Sequence, residues 1–410
     1  MKTKPSVRLL LLNLLIVASL GVLMRYKIAF EFPFFNQKNI QHAHSYFAFS
    51  GWVTQALLFF ISHLYEPYFG KKNTKKINTI IWLNLFSSYG MLVSFFIQGY
   101  SVFSIIFSSF SILLMIAYAF LFYECTKGLL KNLQSLKWIY AALFFALLSS
   151  AGTGVLAYLM MHKITSQFLY LSSIYFYLHF QYNGWFFFAC LGILIGIANK
   201  NNFALKREYL IYILFATSCV PAYFLSTLWA NPPDWIYLLC TAAAITQAIA
   251  WALLIINLLN QLKLARVSKL TKFLIHFIII AASIKFILQL GSTIPSVSNL
   301  AFGFRPIVIA YLHLVLLAFI SMMLILCMWS SNLLIKSKQL DFSIYSFAFL
   351  VFTNELALGV QGATSIVYLS IPNINIILFG ISIGLFLSIL LMLISQRKSG
   401  YICSSDFKNI

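Results

Sequence analysis

The sequence is short of charge, and shorter still of acid. Only 9% of its 410 residues are charged, with 8 Asp and Glu against 28 Lys and Arg. Soluble domains carry about a quarter charged residues, so an ordinary globular surface is excluded. The six cysteines (Cys125, Cys190, Cys219, Cys240, Cys327 and Cys403) show no CxxC and no paired spacing. That argues against a zinc site and a disulfide framework, and a cysteine inside an apolar helix acts as a small hydrophobe. Long polar connections are missing too, which leaves no room for a soluble domain or extended linker. No internal sequence repeat is visible.

What fills the chain instead is apolar. Hydrophobic residues make up 61% and the mean hydropathy is +0.91. Runs of about twenty apolar residues recur from end to end, as membrane-crossing helices require. Hydropathy predicts twelve spans, near 8–24, 41–64, 77–98, 102–124, 137–161, 180–198, 208–229, 235–260, 270–290, 306–330, 342–364 and 372–395. The fold class expected is an all-α polytopic membrane protein, with residues 1–410 forming a single integral membrane domain. The first run, Leu9 to Leu23, follows basic residues as a signal peptide would. It lacks a small-residue cleavage site, so it is read as a retained helix.

The net charge of +20 suggests nucleic acid, but its distribution does not. Lys and Arg gather in alternate connections: 22 fall on the side of the termini, five (Arg25, Lys27, Lys38, Lys163 and Arg305) on the other, and Lys285 lies within a span. The positive-inside rule then puts both termini in the cytoplasm. The partner implied is a lipid bilayer, with no nucleic acid. Residues 162–179, polar and then aromatic, are expected to lie along the outer interface before the sixth span turns inward. Residues 291–305 read as a turn-rich loop ending on Arg305-Pro306, with proline in the first turn of span ten.

Histidine is the residue to follow, because a metal-binding side chain at bilayer depth is costly and marks function. His42, His44, His162, His179 and His313 converge on the outer third; His63 and His276 lie near the inner side. Residues i and i+2 on a helix point about 200° apart, so His42 and His44 cannot both face one metal. His44 is the deeper, on a face continuing through Ala48, Gly51 and Gln55. His313 lies about 10 Å deep at 1.5 Å per residue, and needs a metal or a hydrogen-bond partner. Together His44 and His313 can clasp a metal or haem, or each can be bonded to a neighbouring helix. His179 opens a cluster (His179-Phe180-Gln181-Tyr182-Asn183-Gly184-Trp185) that suits an interfacial belt or a second metal or substrate site. Tyr311 is an ordinary hydrogen-bonded tyrosine or a phenolate ligand to iron. Arg305, just before the span of His313, is placed to pair with haem propionates. Lys285 with Gln289, and Asn354 with Glu355, are polar groups within spans, suited to helix pairing or proton conduction.

Twelve spans, a histidine near the outer end of span two and another in span ten resemble subunit I of the haem-copper oxidase superfamily. The resemblance implies that His44 (or His42) and His313 ligate a low-spin haem. It puts Tyr311 where that family carries its active-site haem ligand, and makes His179 the counterpart of a copper-ligating histidine. Span seven has no histidine to complete the copper site, so the three-histidine centre is incomplete and copper is not expected in its usual form. The chain is similar also to the NnrS-type membrane proteins of nitric-oxide response and to nitric oxide reductases. The implied protein is a haem-binding oxidoreductase of a bacterial inner (plasma) membrane, acting in respiration or nitrosative stress. A small diatomic ligand and a respiratory partner subunit or electron donor go with it.

Two rivals stand beside this reading. Twelve spans with both termini inside also describe a secondary transporter, although Glu66 to Lys76 lacks the Gly-x-x-x-Asp-Arg type of signature and no long central linker follows span six. A lipid- or quinone-handling enzyme using histidine for acid–base work would be short of intramembrane carboxylates, since Glu355 is the clear one.

Overall fold

The computed structural model describes residues 3–130, 133–201, 203, 205–264, 267–298 and 304–397. Lys2, Lys131, Arg266, Lys398, Cys403 and Lys408 of the sequence reading lie outside them, as does part of the 291–305 loop. The described residues contain helix and no strand. Among the described residues, twelve helices are long and apolar enough to cross a membrane: α1 (Ser6–Ala29), α2 (Gln37–Tyr68), α3 (Gly70–Gln98), α4 (Val102–Leu129), α5 (Ser135–Met161), α6 (Gln167–Lys200), α7 (Glu208–Ala230), α8 (Asp234–Lys263), α9 (Lys269–Gly291), α10 (Arg305–Ser330), α11 (Lys338–Ile366) and α12 (Ile374–Ser395).

Successive helices pack side by side, and α12 returns to α1 to close the ring. The start of α1 and the end of α12 meet where the Arg8 guanidinium donates to the Gln396 carbonyl. We call this end of the bundle the terminal face and the opposite end the histidine face. Large apolar side chains point outward from the ring, among them Phe120, Leu238 and Phe349. Water would penalise that surface, whereas lipid does not.

Every fourth helix departs from the ring. In the most apolar stretches of α2 and α6, 83% of residues are buried, and in that of α10, 50%; the other nine helices lie between 22% and 44%. These three helices form the centre. Along their inner halves they touch one another, and Trp52, Trp185 and Phe186 are buried there. The sequence carries no visible repeat, yet the architecture repeats in groups of four, with the second helix of each group turned inward.

The sixth helix corrects the expectation for residues 162–179. Ser166 caps a new helix by accepting from the Leu169 amide, and the helix then runs unbroken for 34 residues. Gln167–His179 is therefore the half of α6 nearer the histidine face, in line with the rest of the helix, not a separate segment lying along an interface. Close packing on α5 holds it upright: a Cβ on Gly152 would stand 2.7 Å from the Ser173 carbonyl. Arg25 and Lys27, read as loop charges, belong to the last turns of α1. Pro306 lies in the first turn of α10, as expected.

Candidate metal-cofactor site

Each central helix contains a π-helical stretch, in which the backbone bonds i to i−5: Ala48–Thr54 in α2, Phe180–Phe186 in α6 and Leu314–Ser321 in α10. Such wide turns are rare, and they recur at functional sites. Here each follows one of the histidines singled out from sequence: His44 by four residues, His179 and His313 by one.

Wide turns leave carbonyls in need of donors, since lipid offers none. In α2, Asn13 Nδ2 donates to the Gly51 carbonyl at 2.6 Å, and Asn13 Oδ1 accepts from the Tyr89 hydroxyl at 2.9 Å. In α10, Ser321 Oγ donates to its own Leu316 carbonyl at 2.8 Å. In α6, Cys219 Sγ of α7 lies 3.8 Å from the Asn183 carbonyl. Two indoles then tie the turns together. Trp52 Nε1 donates to Ser321 Oγ at 3.0 Å, and Trp185 Nε1 to Thr54 Oγ1 at 3.3 Å. The three turns thus sit at one depth and brace one another.

Beyond the turns the helices part company. The outer half of α10, Arg305–His313, contains no buried residue and packs chiefly on α11, although it belongs to a central helix. The outer half of α2 packs on α1 and α3, and that of α6 on α5 and α7. His44 and His313 stand half-buried on these separated halves.

Both imidazoles are oriented through Nδ1. His44 Nδ1 bonds the Val17 carbonyl of α1 at 3.1 Å, and His313 Nδ1 bonds its own Ile309 carbonyl at 2.9 Å. A carbonyl only accepts, so Nδ1 carries the proton in each ring and Nε2 keeps a free lone pair. This is the arrangement in which a backbone carbonyl fixes the tautomer of a metal-binding histidine. His44 packs against α1 beside Gly21, where an added Cβ would lie 3.7 Å from His44 Cε1, an ordinary contact. The two rings are within electrostatic range of each other, and the half-buried Arg25 of α1 is within range of both. No carboxylate pairs with Arg25 among the described residues. Arg25 was missed by the sequence reading; its place one turn short of the helix end was the available signal.

The remaining candidates separate. His42 turns the other way, its ring 4.7 Å from Tyr100 and 6.0 Å from Phe95. Arg305 is exposed at the start of α10, where Nη2 donates to Gln41 Oε1 of α2 at 2.8 Å. Tyr311 points to α6, with its ring 6.4 Å from that of Tyr182. His179 is 2% exposed and both its nitrogens are engaged, Nε2 with the Cys219 carbonyl at 2.8 Å and Nδ1 with Asn183 Nδ2 at 3.2 Å. A carbonyl accepts at Nε2 and an amide donates at Nδ1, so this imidazole offers no lone pair to a metal. Among the described residues, no group of three or more His, Cys, Asp or Glu is arranged to hold a metal ion. His44 and His313 thus each present an Nε2 that makes no protein hydrogen bond, with Arg25 within electrostatic range of both. No protein-family model matches the chain, and no curated protein is significantly similar to it.

Proposed function

We propose that the chain is a haem-binding redox protein of a bacterial inner membrane, a divergent relative of the haem-copper oxidases and nitric oxide reductases. The carrying observation is that His44 and His313, on separate central helices, both commit Nδ1 to a backbone carbonyl and keep Nε2 free. Their Nε2 atoms would be the ligands to the iron. Arg25, unpaired by any carboxylate among the described residues, and Arg305 at the start of α10 suit the propionates. An iron porphyrin with two imidazole ligands supplies one-electron transfer.

The chain's own contribution is orientation and dryness. Carbonyls of Val17 and Ile309 hold the tautomers. The packed inner halves, with the three braced turns, separate the two histidines from the terminal face. In this reading that face is cytoplasmic, as its basic residues require. The electron comes from a donor on the histidine face or within the lipid, and the acceptor is a small diatomic molecule or a respiratory partner. His179 and Tyr311 are not copper ligands in this reading: the first is saturated, and the second turns toward Tyr182.

The test is haem content per chain in four single variants. His44→Ala and His313→Ala are expected to lose haem, whereas His42→Ala and His179→Ala keep it. Full occupancy in the first two variants would refute the assignment.

A further inference from the structure

A second polar assembly lies beside α6, α7, α8 and α9, away from the histidine pair. Its centre is Lys285 of α9, 3% exposed. The Lys285 ammonium lies 3.9 Å from the Phe286 ring centroid and 5.9 Å from that of Phe187. His179 of α6 and Cys219 of α7 are the titratable groups within electrostatic range of it, and no carboxylate pairs with it among the described residues. Aromatic faces offset part of an ammonium's desolvation, but a cation at this depth also needs a counter-charge or water, and with neither the amine is neutral.

The surrounding atoms point to water. Eight enclosed side-chain atoms of the described residues have no hydrogen-bond partner, and five belong to this one sector: Ser172 Oγ and Asn183 Oδ1 on α6, Tyr237 Oη and Thr241 Oγ1 on α8, and Gln289 Oε1 on α9. Buried polar atoms are seldom left bare, and the usual remedy is an ordered water bonded to about three of them. Their order is also directional. Tyr237 and Thr241 lie one and two turns in from Asp234, at the histidine face. Deeper, Gln289 Nε2 donates to Gln247 Oε1 of α8 at 2.7 Å. Lys285 follows one turn deeper on α9, within electrostatic range of Cys219 of α7, which itself lies 3.8 Å from the Asn183 carbonyl of α6.

We infer that α6 to α9 enclose a file of water running from the histidine face to Lys285, along which protons reach and leave the Lys285 amine. The transfer balances simply: a hydronium gives its proton to the amine lone pair and becomes water, and the reverse step returns it. Nothing in this rests on a bound haem.

The experiment uses intact protein in sealed vesicles with a pH difference across the membrane. Acetic anhydride, which crosses lipid, modifies only unprotonated amines, and peptide mass spectrometry reads the yield at each lysine. Lys163 reports pH at the histidine face and Lys71 at the terminal face; both are exposed. Acetylation of Lys285 is expected to rise and fall with pH on the Lys163 side and to ignore the Lys71 side. The double variant Thr241→Val, Gln289→Leu is expected to lose that response, with Lys163 and Lys71 unchanged. Yield at Lys285 that tracks the Lys71 side, ignores both, or stays at zero overturns the inference, and the unsubstituted protein alone decides it.

Discussion

Replacing Asn13 with leucine removes one amide that serves two neighbouring helices. Asn13 is 0% exposed; its Nδ2 bonds the Gly51 carbonyl at 2.6 Å and its Oδ1 accepts from Tyr89 at 2.9 Å. Leucine matches the shape closely, so cavity and overpacking terms are small. What remains is two orphaned groups: a carbonyl freed by the wide turn of α2, and a half-buried hydroxyl. A buried unsatisfied group costs roughly 1–3 kcal/mol. The Tyr89 hydroxyl can turn toward solvent, so the net loss is about 2 kcal/mol, mostly from Gly51. The assay is unfolding by sodium dodecyl sulfate in mixed micelles, on the wild type, Asn13→Leu, Tyr89→Phe and the double variant. Tyr89→Phe deletes the orphan that Asn13→Leu creates, so the double variant should be no less stable than Asn13→Leu alone, a coupling of about 1 kcal/mol. Asn13→Leu within about 0.5 kcal/mol of wild type, or costs that simply add, would refute the view that this amide supports the turn.

Further expectations follow from single contacts. Gly51→Val sets a Cβ 2.5 Å from Phe47 Cε2, so the ring must move; a loss of about 1–3 kcal/mol in the same unfolding assay is expected, with recovery when Phe47→Leu makes room. Glu208→Gln removes the charge facing Lys137 at 2.5 Å; because Lys137 keeps 18% exposure, the expected cost is about 1–2 kcal/mol, and it should shrink as salt is raised. Arg25→Leu should weaken retention of bound haem during gel filtration while leaving unfolding within about 0.5 kcal/mol of wild type, since no protein carboxylate among the described residues depends on it.

Hydropathy carried the helix count without help, because lipid forces every crossing segment to satisfy its own backbone. It failed where polarity and structure diverge. Residues 162–166 are polar enough to suggest an interfacial start, and the aromatic run to Phe180 looks like a belt. Only packing against α5 at Gly152 reveals that Gln167–His179 stands upright. Depth along the chain, a residue count times the helical rise, placed His44 and His313 at similar levels, and the two rings are within electrostatic range of each other. Ring saturation was not legible: the carbonyl that occupies His179 comes from Cys219, forty positions away on α7. The π turns escaped as well, since a change from i−4 to i−5 bonding leaves hydrophobic spacing almost unaltered over seven or eight residues. Arg25 was hidden by a boundary. Ending the first span at residue 24 made it a loop charge, whereas the helix continues to Ala29 and keeps Arg25 within electrostatic range of the histidines.

The most direct measurement is a reduced-minus-oxidised absorbance spectrum of the purified full-length protein, taken beside His313→Ala prepared in the same way. A Soret band with the sharp visible bands of a six-coordinate, bis-imidazole haem is the result expected for the wild type, and its disappearance is expected in the variant. A wild-type protein without porphyrin absorbance, or a haem spectrum indifferent to the loss of His313, would contradict the account.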